Sequence, residues 1–191
     1  MAKSENNEVM YGARGKVGNL VIFKNFANGK TVISKVQRKR ENPVYSEDQE
    51  IAKERFREGV IYAKGVIEDP ILRAFYKPFV KPGSSIYNMA LADFCKPPEI
   101  KAIDTENYQG ATGDVITIRA TDNFAIVSLK VFIFKAEGTL IETAAAVKKP
   151  NGKDWVYTAT ISNEAVAGTV VKVQATDTPG NVSELVQPIT G

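Results

Sequence analysis

The chain of 191 residues is 43% hydrophobic and 25% charged, a globular composition that excludes wholesale disorder and leaves room for one large domain or two small ones. It has no His and a single Cys, Cys95, which removes the usual general base, the commonest metal ligand and any intrachain disulfide. The net charge of +3 hides a split: residues 1–97 hold 17 Lys/Arg against 11 Asp/Glu, and residues 98–191 hold 8 against 11.

The N-terminal stretch MAKSENNEVMYG lacks the apolar run of a signal peptide, and no segment approaches the roughly 20 apolar residues of a membrane-spanning helix. A product made in the cytoplasm and not inserted in a membrane is expected, with release in a particle such as a virion still open. Residues 1–10 are polar and read as flexible unless a partner holds them. Gly12-Ala-Arg-Gly15-Lys-Val-Gly18-Asn19 is basic and glycine-spaced, but it lacks the Gly-Lys-Ser/Thr ending of a phosphate loop and reads as tight turns.

Leu20 to Val36 predicts a hairpin. Two β-rich runs flank Asn28-Gly29, the dipeptide favoured in a two-residue type I′ turn. That turn pairs Phe26 with Thr31, Phe23 with Ser34 and Val21 with Val36. Both faces carry apolar residues, so cover on two sides or a neighbouring chain is expected, with Val21, Phe23, Phe26 and Val36 as candidate assembly contacts. The basic residues Arg14, Lys16, Lys24, Lys30, Lys35, Arg38, Lys39 and Arg40 are candidates for nucleic-acid or partner contact. A solvated strand exit explains the Arg38–Arg40 run equally well.

After Asn42-Pro43, Ser46-Glu-Asp-Gln49 is a capping box opening a helix. Ala52, Phe56, Val60, Ala63 and Ile67 form its apolar stripe. Asp69-Pro70 starts a second short helix that Pro78 stops, and Ser84 or Ser85 caps a third, Ile86 to about Cys95. Cys95, with no His to activate it, reads as a structural thiol.

The double proline Pro97-Pro98 marks the domain boundary, and beyond it the apolar period becomes two. Strands are predicted at 99–105, 114–120, 127–135, 140–147, 155–161, 170–176 and 182–189, with turn signals between them. Seven short strands in so few residues predict an immunoglobulin-like sandwich over 98–191, behind an α+β module of hairpin and helices over 1–97. Trp155 is expected in the core or at an edge. Trp155, Tyr157 or Tyr108 could otherwise form a carbohydrate platform. Asp104, Asp122 and Asp177 are a weak calcium trio, too scattered to assign a metal.

Ile118-Arg-Ala-Thr-Asp122 and Val173-Gln-Ala-Thr-Asp177-Thr-Pro-Gly-Asn181 give the second half a resemblance to bacterial immunoglobulin-like repeats of surface and phage proteins. That resemblance implies that the strand-end Asp organises a turn. The first half, through Gly15-Lys-Val-Gly18-Asn19, the Asn28-Gly29-Lys30 hairpin, Asn42-Pro43, Ser46-Glu-Asp-Gln49 with Arg55-Phe56, and Ser85-Ile-Tyr87-Asn88, resembles an uncharacterised family of Bacteroidetes chromosomes and phage-like elements. It implies a bacterial or phage setting and carries no catalytic residues. With no nucleophile–base pair, no metal set and no cofactor motif, the expected role is a non-enzymatic structural or assembly protein that binds protein partners and forms a homo-oligomer or larger assembly. The alternatives are nucleic-acid binding by the basic hairpin region and an adhesin-like module that binds carbohydrate or a partner.

Overall fold

The computed structural model describes residues 2–4, 12–26, 29–37 and 44–189. Two compact units emerge, residues 1–58 with 63–89, and residues 59–62 with 90–191. The division therefore falls within the third helix at Met89–Ala90, and a short piece of the first helix groups with the second unit.

In the first unit, β1 (Ala2–Ser4), β2 (Gly15–Val17), β3 (Val21–Asn25) and β4 (Thr31–Lys35) form an antiparallel sheet in the order β1-β4-β3-β2. The expected hairpin thus grows at both edges. Ala2–Ser4, read as flexible, pairs with β4, and part of the glycine-spaced loop becomes edge strand β2.

The register differs from the predicted one by a residue: Asn25 faces Thr31, Phe23 faces Ile33 and Val21 faces Lys35. Phe26 N–H donates to Lys30 O at 2.9 Å and Gly29 N–H to Phe26 O at 3.0 Å. The connection therefore takes three residues, and Gly29, at φ +77°, supplies the left-handed position that closes a three-residue loop. Asn28 and the basic run Arg38–Arg40 lie outside the described residues. The shift matters because it places Phe23 opposite Ile33 rather than a serine, a better cross-strand pair.

Helix α1 (Glu47–Glu68) opens with the capping box, Gln49 N–H reaching Ser46 Oγ and the Gln49 side chain accepting from Ser46 N–H. Asp69 caps α2 (Pro70–Tyr76), accepting from Ile71 and Leu72 N–H at 2.7 and 3.1 Å. The α-helical turns end at Tyr76, but Pro78 sits inside one further 3-10 turn, Lys77–Phe79. The predicted stripe of α1 is only partly buried: Ala63 is inside, Ala52, Phe56 and Ile67 are exposed, and the other buried positions are Gly59 and Val66.

Helix α3 (Ile86–Cys95) starts where Asn88 N–H donates to Ser85 Oγ at 3.3 Å. In the second unit, Gly59 lies against its far end. A Cβ there would stand 2.9 Å from Leu91 Cδ1 and 3.1 Å from Phe94 Cδ1, so the missing side chain is what permits the approach. Cys95 is a half-buried free thiol.

Eight strands complete the second unit: β5 (Glu99–Asp104), β6 (Val115–Thr121), β7 (Ile126–Phe134), β8 (Leu140–Ala145), β9 (Val147–Lys148), β10 (Asp154–Thr158), β11 (Val170–Asp177) and β12 (Val182–Pro188). They make two antiparallel sheets, β5-β6-β10-β9 and β12-β11-β7-β8. Inward residues such as Ile116, Ile118, Val131, Ile133, Val171 and Val173 form one buried cluster, as their period-two spacing requires. The predicted strand 140–147 is two strands. It leaves β7 and joins β10 at the buried Ala146, whose N–H donates to Leu129 O at 2.8 Å, so the chain changes sheets at this corner.

Candidate functional site

Three places carry functional residues read from the sequence, and the fold treats them differently. On the N-terminal sheet, alternation sends odd-numbered residues to one face and even-numbered residues to the other. Val21 and Phe23 therefore share a face with Ile33, whereas Phe26 and Val36 lie on the other. The four candidate assembly contacts do not form one patch.

The even face carries a groove of about 530 Å³. Ile22, Val32 and Val36 are half-buried in its floor, Lys16 and Lys24 stand on the same face, and Lys35 adjoins the groove at the end of β4. Lys16 faces Ile22 across β2 and β3, and Lys24 faces Val32 across β3 and β4, so each cation sits beside an aliphatic side chain. Arg14 and Lys30 are exposed and do not line the groove. The one-residue shift from the predicted register is what brings Ile22 and Val32 onto one face.

Large apolar side chains are exposed elsewhere along residues 17–71 as well. Leu20 is 75% exposed, Val44 95%, Ile61 72% and Ile71 80%, with Val17, Ile51 and Phe56 each more than half exposed.

The second place is the end of the sandwich next to α3. One carboxylate oxygen from each of Asp93, Asp122 and Asp177 lies within 4.8 Å of those from the other two. Of the sequence trio, Asp104 is elsewhere, its Oδ1 accepting from Glu106 N–H at 3.0 Å. Asp93 takes its place, brought there by the last turn of α3. No spacing signal announces it, since it lies about 30 residues from Asp122 in sequence.

The turn after β11 is built around Asp177: its Oδ1 accepts from Asn181 N–H and its Oδ2 from Asn181 Nδ2, both at 2.7 Å. The same Nδ2 donates to Phe94 O at 3.1 Å and Asp93 O at 3.4 Å, and Asn123 Nδ2 donates to Ala92 O at 3.3 Å. Two asparagines of the sandwich thereby satisfy the carbonyls at the C-terminal end of α3. Asp122 Oδ2 accepts from Phe124 N–H at 2.8 Å. Burial holds the Asp177 carboxyl above the usual range despite its bonds to Asn181, and the neighbouring Asp122 adds to the effect. Such a cluster can share a proton, or surround a divalent cation with oxygens.

The third place, the aromatic set in the sandwich, is closed. Trp155, Tyr157 and Tyr108 are buried to within a few per cent, so they offer no ring to a sugar. Burial raises both tyrosine hydroxyls, with Glu142 contributing at each. Glu142 itself ties β8 to the segment after β10, its Oε2 accepting from Thr160 Oγ1 at 2.6 Å, Thr160 N–H at 3.0 Å and Ile161 N–H at 3.2 Å.

No protein-family model matches the chain, and no curated protein matches it. Among solved structures, CopC from Methylosinus trichosporium OB3b is similar at 14% identity over 48% of this chain and 89% of that one, with a TM-score of 0.36. A lipoprotein from Bacteroides thetaiotaomicron is similar at 14% identity over 49% of this chain and 78% of that one, with a TM-score of 0.27. An engineered protein is similar at 16% identity over 64% of this chain and 27% of that one, with a TM-score of 0.34. Likeness at this level carries nothing over to this chain. Among the described residues, no helix is long and apolar enough to cross a membrane.

Proposed function

We propose that this chain is a non-enzymatic assembly protein that associates through its N-terminal module, with the sandwich as a second module that has its own core. One observation carries this reading: large apolar side chains lie uncovered along residues 17–71, on the sheet, on α1 and at the start of α2. Exposed large apolar side chains in such number are a feature of interaction sites in soluble proteins. We read the sandwich as immunoglobulin-like, since its two strand orders correspond to A-B-E-D and to G-F-C with one added strand. A phage particle or a related bacterial assembly is the setting we propose, on the resemblance of the first half.

Light scattering across concentration and salt, with negative-stain imaging of the same fractions, tests the reading. A defined oligomer, ring or filament is expected. Association that weakens with salt would implicate contact between the basic first half of one copy and the acidic second half of another. A monomer at every salt and concentration would refute self-assembly.

A further inference from the structure

We propose that the even-numbered face of the N-terminal sheet is a docking groove for an acidic peptide segment of a partner chain, with apolar and carboxylate side chains alternating along it. The proposal rests on the reading of the N-terminal module as the docking half and names the chemistry of what docks there.

Charge complementarity identifies the occupant. Lys16 and Lys24 stand on the face of the groove, Lys35 adjoins it at the end of β4, and no acidic residue lines it among the described residues. The floor is aliphatic, with Ile22, Val32 and Val36 half-buried, so an occupant gains most by covering them with apolar side chains of its own. Ser34 Oγ, also in the groove, is buried with no hydrogen-bond partner among the described residues.

Nucleic acid fits less well. Phosphates would be laid over aliphatic side chains, and among the described residues Phe26 is the one aromatic lining residue available to stack on a base. The alternation along β3 and the residue after it, Ile22 then Lys24 then Phe26, is instead the complement of an apolar–acidic–apolar segment.

The test is fluorescence anisotropy of the full chain with a short labelled peptide alternating Glu and Leu. Comparison probes are a Glu/Ser peptide, a Lys/Leu peptide and a single-stranded oligonucleotide. The Glu/Leu peptide is expected to bind at least about tenfold more tightly than the others. Lys16→Glu and Lys24→Glu, on different strands, are each expected to weaken it by about tenfold or more without changing the circular dichroism melt. Equal binding of Glu/Ser, or tighter binding of the oligonucleotide, would overturn the proposal, and the probe comparison needs no variant.

Light scattering on the same samples separates the two readings. Self-association with no Glu/Leu binding sinks this proposal and leaves the assembly reading standing. Glu/Leu binding by a chain that stays monomeric supports the groove and sinks self-assembly.

Discussion

In the sandwich, sixteen apolar residues share one buried cluster. In the first unit, the buried apolar side chains among the described residues are Ala63, Val66 and Tyr76, while ten of the seventeen large exposed hydrophobics among those residues lie in it. Both regions have a comparable share of apolar residues to bury, but only one has stacked two sheets so that each covers the other's inner face. The N-terminal sheet instead leaves side chains such as Leu20 and Phe26 more than half exposed. The difference teaches that the second half is stabilised from within, whereas the first half leaves many of its large apolar side chains exposed.

The strongest way to break this contrast is at Gly110. It has φ +88°, and an added Cβ would stand 2.2 Å from Asn163 O, a backbone atom that cannot swing aside. Gly110→Ala is expected to cost about 3–5 kcal/mol in urea unfolding. A loss below about 1 kcal/mol would show that the turn relaxes freely.

Next comes a paired comparison. Ile118→Ala, in the core, should cost about 2–5 kcal/mol. Phe56→Ala, on exposed α1, should stay within about 0.5 kcal/mol for the monomer while reducing association in light scattering. Equal costs for the two would remove the distinction between the halves.

Asn181→Ala leaves the Asp177 carboxylate and two α3 carbonyls without their shared donor, and should cost about 1–3 kcal/mol. Amide exchange in the last turn of α3 should accelerate in this variant. If it does not, the asparagine is not what holds the end of the helix.

The smallest effect is on pH. The folded-state pKa of Asp177 is raised, so the folded chain binds the more protons between its unfolded and folded values. Its contribution is therefore fully present below the unfolded carboxylate range and is lost as pH rises through the folded pKa. Asp154 and Glu184 act the other way: Arg119 and Lys172, respectively, lower them, so their contribution fades as pH falls. Asp122→Asn should flatten the loss on the rising side only, measured as urea midpoint against pH. An unchanged slope would mean that Asp122 does not act on Asp177.

Much of the chain could be read locally. The capping box at Ser46, the Asp69-Pro70 start and the alternation in β6, β7 and β11 act within a few residues, and each stands where those residues place it. The groove was half legible. Its lysines were named from charge, but its floor depended on a register that one extra turn residue changed. Because side chains alternate with period two, that single residue decides which of them share a face.

Local sequence thus determined the helix starts, most strand positions and the change of period at Pro97-Pro98, because capping, turn chemistry and burial periodicity are short-range. Tertiary structure alone decided that Asp93 joins Asp122 and Asp177, that the strand predicted at 140–147 divides between two sheets, and that Trp155, Tyr157 and Tyr108 face inward. Those outcomes depend on residues far apart in the chain being brought together, and no local pattern encodes that.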